Sequence, residues 1–314
     1  MQYRTIGTSE IKVSTVAHGT WAAGGRSWGD VEDQASIEAM KASIEAGVTL
    51  IDTAPVYGRG HAEELVGQAI KGCRDRVVIS TKCGLLIDEG NRRSLTPETM
   101  RRECEDSLRR MDTDYIDIYF CHWPDPDTPI EETIGGLTAL LESGKIRAIG
   151  LSNHGPDLVR RAHAAGPLHC LQEHYSLLQR TVEDETLPLA RELNPGVMAY
   201  APLGGGILTG KYTAPPSFDK RDVRDFFYPF YKEPLWSRTQ DLLDEMRTLA
   251  EAKGVSLAQL AVAWVNARDG VTCSLVGAKN PGQAQANAAA ADIVLEPAEV
   301  DRLTAASDNA LQGM

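Results

Sequence analysis

Positive charge is in short supply in this chain: 32 lysines and arginines stand against 44 aspartates and glutamates in 314 residues, a formal net charge of −12. No basic run relieves the deficit, which argues against nucleic acid or an anionic membrane surface and leaves small molecules as the expected partners. The six cysteines (Cys73, Cys83, Cys104, Cys121, Cys170 and Cys273) show neither a C-x-x-C motif nor a close Cys/His grouping. That spacing speaks against a disulfide scaffold and a structural zinc site, and points to a reducing compartment. No stretch approaches the ~18 apolar residues of a membrane span, and the opening MQYRTIGTSEIKVS has no signal-peptide core, so a cytoplasmic protein is expected. Low-complexity linkers and usable repeats are also missing, which favours one domain over residues 1–314. A hydrophobic share of 42% is ample for a large core and rules out disorder.

Short apolar runs rich in β-branched residues recur at 16–19, 48–52, 77–82, 116–122, 146–152, 168–172, 197–200 and 272–277. Such runs suit strands buried on both faces of a parallel sheet. Between them, 33–45, 62–70, 97–111, 130–142, 156–164 and 182–193 place apolar residues at helical steps. Thr96-Pro97-Glu98 supplies a capping hydroxyl and a first-turn proline, and Gly47, Gly144 and Gly166 mark helix ends. Eight strand and helix units at a spacing of about 30 residues match a (β/α)8 TIM barrel of ~250 residues with additions. The rival doubly wound sheet would carry G-x-G-x-x-G after the first strand, where this chain has Gly19-Thr20-Trp21-Ala22-Ala23-Gly24-Gly25. The additions are an N-terminal β-hairpin turning at Gly7-Thr8-Ser9, a long loop from Leu203 to Pro234 after the seventh strand, and an extra C-terminal helix over 296–307.

Barrel chemistry resides at the C-terminal ends of the strands. The second strand ends at Asp52 and runs into Tyr57, the third ends at Lys82, and the fourth at His122-Trp123. A phenol is a poor acid at neutral pH unless a cation stabilises its phenolate. Lys82 supplies that cation, Asp52 holds it charged and in place, and His122 hydrogen-bonds a carbonyl oxygen while Tyr57 gives up its proton. Each residue alone has a bland reading as a helix cap, a solvated tip or a satisfied core group. Four complementary groups on consecutive strand ends are harder to assign to chance. His122 has no second ligand at metal spacing, so no metal site is expected.

In the second half, Ser152, Asn153 and Gln172 offer bonds to an amide, Tyr200 offers a stacking face, and Gly204-Gly205-Gly206 lets backbone N–H groups approach a pyrophosphate. Lys279, entering a helix after the eighth strand, suits a phosphate.

These residues resemble the aldo-keto reductase superfamily over essentially the whole chain, with the stretch from His122-Trp123-Pro124-Asp125-Pro126 to Pro129-Ile130-Glu131-Glu132-Thr133 most similar to bacterial general-stress and inositol-operon reductases. Gly19-Thr20-Trp21, Asp52-Thr53-Ala54 with Tyr57-Gly58, Glu63-Glu64-Leu65-Val66-Gly67, Thr81-Lys82, Gly144-Lys145-Ile146-Arg147 and Gly150-Leu151-Ser152-Asn153 follow in the family's order. The resemblance implies reversible, NADPH-dependent reduction of aldehydes, ketones or sugars by direct hydride transfer. It makes Tyr57 the acid, Lys82 and Asp52 its tuning pair, and His122 the orienting group. Ser152, Asn153 and Gln172 would hold the carboxamide, and Tyr200 would stack on the nicotinamide. Thr20, Trp21, Ala201, Leu203, Gly204, Gly206, Leu208 and Lys211 would line the NADP(H) path, with Gly277, Lys279, Gln283 and Asn287 at the adenosine end. Trp21, Tyr57 and Trp123 would form the substrate walls, joined by loop aromatics Phe226, Phe227, Tyr228, Phe230 and Tyr231, and the short tail after Leu311 would leave the mouth open.

Three positions depart from the family's pattern: Ala286 replaces a glutamate, Lys279 an arginine, and His18 an aliphatic residue, for which a hydrogen-bonded barrel histidine is expected. The competing reading is a barrel-type regulatory subunit that holds NADP(H) with little turnover. A barrel hydrolase would need no nicotinamide at all.

Overall fold

The computed structural model describes residues 1–25, 28–29, 31–220 and 222–313. Its first element is an antiparallel hairpin of β1 (Tyr3–Thr5) and β2 (Lys12–Ser14), turning through the expected glycine at position 7. Then come β3 (Val16–Gly19), α1 (Asp33–Glu45), β4 (Leu50–Asp52), α2 (His61–Ile70) and β5 (Val78–Cys83). A two-strand excursion, β6 (Leu85–Leu86) and β7 (Arg92–Arg93), precedes α3 (Pro97–Met111), β8 (Ile116–Cys121), α4 (Ile130–Glu142), β9 (Ile146–Ser152) and α5 (Pro156–Ala165). The chain continues through β10 (Cys170–His174), α6 (Thr186–Leu193), β11 (Gly196–Tyr200), α7 (Val223–Phe227), α8 (Leu235–Lys253) and α9 (Leu257–Asn266). It ends with β12 (Val271–Gly277), α10 (Pro281–Ala289) and α11 (Pro297–Leu311).

Strands β3, β4, β5, β8, β9, β10, β11 and β12 form a closed parallel barrel, β12 pairing back onto β3. The fold class read from the sequence is therefore correct. Local signals placed several boundaries: Thr96 Oγ1 accepts the Thr99 N–H ahead of Pro97, and α1, α3 and α4 have the expected limits. The structure differs in four places. Residues 181–183 form a 3-10 turn, so α6 starts at Thr186; α11 runs on to Leu311 with Glu296 as its cap; β6–β7, α8 and α9 lie outside the runs read from the sequence; and the long loop holds α7 and two 3-10 turns. Arg221 of that loop and the terminal Met314 lie outside the described residues. No helix among the described residues is long and apolar enough to cross a membrane.

Two hydrophobic layers hold the barrel in shape. Inside it, Leu50, Ile118, Phe120, Ala148, Cys170, Met198 and Cys273 pack with Ile6 and Val13 of the hairpin, which plugs the end where the strands begin. Outside, strand residues such as Ile51, Ile79, Ile149 and Leu171 pack against the helices. A rigid wall results, on which side chains at the far end can be placed reproducibly. The interior leaves no slack at Gly150, where an added Cβ would stand 2.3 Å from the Phe120 ring. Gly150→Ala is expected to destabilise the protein by about 1 to 3 kcal/mol through overpacking, read as a lower denaturant midpoint with unchanged m-value; an unshifted midpoint would count against this account of the interior.

Candidate active site

The ends of β4, β5 and β8 bring Asp52, Lys82 and His122 together, and the turn after β4 adds Tyr57. Lys82 is fully buried, and its ammonium donates to Asp52 Oδ1 at 2.9 Å, Asp52 Oδ2 at 2.8 Å and the Thr53 carbonyl at 2.8 Å. All three ammonium protons are thus used. Asp52 Oδ1 also accepts from Ser80 Oγ at 2.7 Å and Gln172 Nε2 at 2.9 Å. Burial lowers the Lys82 pKa and the Asp52 charge works against it, so the pair is a compensated buried salt bridge.

Tyr57 lies over this pair, its ring centroid 5.3 Å from Lys82 Nζ. Its ring stacks on Trp21 at 6.0 Å and meets His122 edge-on at 6.1 Å. Lys82 was expected to draw the phenol pKa down, but the structure shows the opposite direction: burial, then Asp52, push it well above the ordinary value. Asp52 neutralises the lysine charge that the phenol would otherwise feel. The resulting phenol retains its proton. His122 is held well below its usual pKa by burial and by Lys82, leaving a neutral imidazole with one N–H to donate. Gly24 and Gly58 meet back to back, so that a Cβ on either would collide with the other's backbone at under 3 Å; this close approach lets the Trp21 turn press on Tyr57.

The remaining sequence-derived candidates fall into two groups. Around the middle of the mouth they bond to one another: Ser152 Oγ donates to the Gln172 carbonyl at 2.8 Å, Asn153 Nδ2 to the His122 carbonyl at 3.1 Å, and Tyr200 Oη to Asn153 Oδ1 at 2.9 Å. Thr20 Oγ1 donates to the Asp52 carbonyl, and Leu208 is fully buried in the outer hydrophobic layer. In the glycine run, the Gly204 and Gly206 N–H groups already bond to Ala201 and Leu203, while Gly205 lies flat against the Tyr228 ring. At the β12–α10 turn, the Lys279 N–H donates to Gln283 Oε1, Asn287 Nδ2 donates to the Gly277 carbonyl, and Lys279 Nζ reaches the Trp28 carbonyl at 2.6 Å. His18, as expected, is a buried barrel histidine bonded to Ser43 at 2.8 Å.

Sequence reading missed four contributors. Arg224 grips Asp222 through two nitrogens and, with Lys211, lies close enough to Lys279 to depress its pKa after burial has done so. Trp28 and His174 extend the aromatic cover: Trp28 meets Trp21 at 5.2 Å, and His174 stacks on Tyr200 at 5.0 Å and on Phe227 at 5.4 Å. These residues come from a strand end and loops far apart in the chain, and only the tryptophan-rich 21–28 segment carried a local signal. Phe226 points to solvent, whereas Phe227 and Tyr228 cover the mouth. A wide cleft of about 870 Å³ lies at the opposite end, lined by Lys12, Arg76, Asp117 and Arg147 among others, away from these groups.

A closed parallel barrel thus carries a Tyr/Lys/Asp/His cluster at its strand ends. Residues 15–308 match the aldo/keto reductase family. The chain is 40% identical to aldo-keto reductase YhdN of Bacillus subtilis (strain 168) over 91% of its own length and 87% of the relative. It is 37% identical to the NADH-specific methylglyoxal reductase of Escherichia coli (strain K12), over 94% of each. An aldo/keto reductase from Klebsiella pneumoniae, solved with NADP and acetate, superposes with a TM-score of 0.75 at 32% identity, covering 96% of this chain and 94% of that one. The chain belongs to the aldo-keto reductase family. It is an NAD(P)H-dependent oxidoreductase of carbonyl compounds.

Because Lys82 is buried, removing Asp52 leaves an uncompensated charge that the site would shed by deprotonation. Asp52→Asn and Lys82→Met should therefore cost turnover by one shared route. In a double-mutant cycle on kcat, the double variant should be about as slow as the worse single one; losses that add in free energy would refute the coupling.

Proposed function

We propose that this protein reduces aldehydes and ketones to alcohols with Tyr57 as the proton donor and NADPH as the preferred reductant. The observation that carries the reading is a phenol and an imidazole meeting edge-on, with the phenol ring over a buried Lys82–Asp52 pair. His122 donates a hydrogen bond to the substrate oxygen, which orients the carbonyl and stabilises the charge growing on it. Tyr57 then delivers its proton to that oxygen. The phenolate left behind lies over the Lys82–Asp52 pair, which holds its place by its own hydrogen bonds until the phenol is reprotonated. Trp21, Trp28, Phe227 and Tyr228 keep water from the reacting centre.

The residues present fit a dinucleotide phosphate. Lys211 and Arg224 both lie close to Lys279, and Asp222, gripped by Arg224, is the acid that Lys279 also feels, so positive charge gathers near the β12–α10 turn. Lys279, with Arg224 and Lys211, would hold a 2′-phosphate; Gln283 and Asn287 brace the Lys279 loop; Gly277 abuts Gly19; and Trp21, Ala201, Leu203, Gly204 and Gly206 border the path inward. Ser152, Asn153 and Gln172 would meet the carboxamide beside Tyr200. When bound, the reduced nicotinamide supplies hydride to the carbonyl carbon.

Tyr57→Phe removes one hydroxyl and little packing. Carbonyl reduction should fall at least ~100-fold, the lower range for general acid catalysis, while NADPH still quenches tryptophan fluorescence. Near-normal turnover would exclude the role. A native protein that bound NADPH but reduced no aldehyde, ketone or sugar would be a binding subunit instead.

Lys279→Met tests the cofactor. If a charge-assisted contact contributes ~1.5 to 3 kcal/mol, the NADPH dissociation constant should rise roughly 10- to 150-fold with NADH almost unchanged. Equal weakening of both, titrated by fluorescence, would show that Lys279 serves the fold or the pyrophosphate.

A further inference from the structure

The excursion β6–β7 carries two neighbouring arginines with different surroundings. Arg92 pairs with Glu89 at 2.7 Å. Arg93 pairs with no carboxylate among the described residues; its guanidinium lies 5.5 Å from the Trp123 ring centroid and donates one bond, from Nη1 to the Pro124 carbonyl at 3.3 Å. The nearby acids are committed elsewhere. Asp88 holds Arg59 at 2.7 Å, and Asp125 accepts from the Leu95 N–H, the Asp127 N–H and Thr128 Oγ1. An arginine over an aromatic face keeps the N–H groups along its edge for a planar anion, and here four of five are uncommitted.

Its position is what gives this a functional meaning. Trp123 directly follows His122, whose ring meets Tyr57 edge-on, so the guanidinium over Trp123 belongs to the same β8 strand-end loop as one of the reacting groups. His154, which follows β9 and is pushed down to about 4 mainly by burial, also feels the Arg93 charge. Asp125 ties the base of the excursion to the β8–α4 loop, so Arg93 is carried on a fixed support. In a chain of net charge −12, an anionic substrate is repelled overall and is accepted only where a local unpaired cation draws it in.

We propose that Arg93 forms an anion subsite at the substrate mouth, and that carbonyl compounds bearing a carboxylate beyond an apolar or aromatic spacer are preferred substrates. The proposal rests on the carbonyl-reduction reading above and names the substrate class for it. The spacer lies against Trp123, the carboxylate takes the open guanidinium edge in bidentate fashion, and the carbonyl reaches His122 and Tyr57.

The test compares para-carboxybenzaldehyde with its methyl ester, which has a similar outline without the charge. With NADPH, Arg93→Met should raise KM for the acid roughly tenfold, a charged hydrogen-bond contribution reduced by exposure, and leave KM for the ester within about twofold. Arg93→Lys should restore part of the loss, and added salt should raise KM for the acid alone. Equal effects on acid and ester, or none on either, would overturn the proposal. Binding of both compounds to the protein–NADP+ complex, followed by tryptophan fluorescence without turnover, should show the same roughly tenfold selectivity, and its absence there would also overturn it. Should native protein reduce neither compound yet show that selectivity, the carbonyl-reduction reading fails while the anion subsite stands.

Discussion

Everything at the strand ends depends on one buried ion pair. An ammonium with essentially no access to water is tolerable only if each of its protons finds an acceptor and its charge a partner, and Asp52 with the Thr53 carbonyl provides both. That demand spreads outward. Asp52 needs donors of its own, so Ser80 and Gln172 are drawn in, and Gln172 in turn carries its carbonyl to Ser152, Ser152 to Asn153, and Asn153 to Tyr200. One charge requirement thus links groups on β4, β5, β9, β10 and β11 into a single hydrogen-bonded chain, and fixes the rotamers around the mouth.

The same pair explains why simple electrostatic reasoning from residue types went astray at Tyr57. A lysine near a phenol lowers its pKa only if the lysine's field is unopposed, and here the aspartate that holds the lysine also cancels it. Sequence can show that Asp52, Tyr57 and Lys82 share an end of the barrel. It cannot show the order in which their charges are used, because that depends on ångström distances.

Much of the barrel was legible because its signals are local: doubly buried strands read as apolar runs, and α3 announces its start through Thr96 and Pro97. The Asp52, Tyr57, Lys82 and His122 cluster was legible because barrel topology fixes which end of each strand matters. What escaped was non-local. Arg224 and Asp222 lie in a loop with no periodicity, and reach Lys279 only because that loop folds back across the mouth. The long helix α8 has a mixed pattern, since it packs mainly on another helix, α11, with α9 also beside it. His174 reads like any polar strand end until its stacking on Tyr200 and Phe227 is seen.

The barrel has a seam where its last strand meets its first, β12 against β3, with Gly277 beside Gly19. Lys279 crosses that seam to the Trp28 carbonyl, stitching the late part of the chain to the early part. During synthesis this stitch becomes available late, because β12 leaves the ribosome after every other barrel strand. A ligand gripped by residues on both sides of the join acts as a clasp: it binds only the closed ring, and by mass action draws the population toward closure. Cellular ligand concentration would thereby help to set how long each newly made ring survives proteolysis.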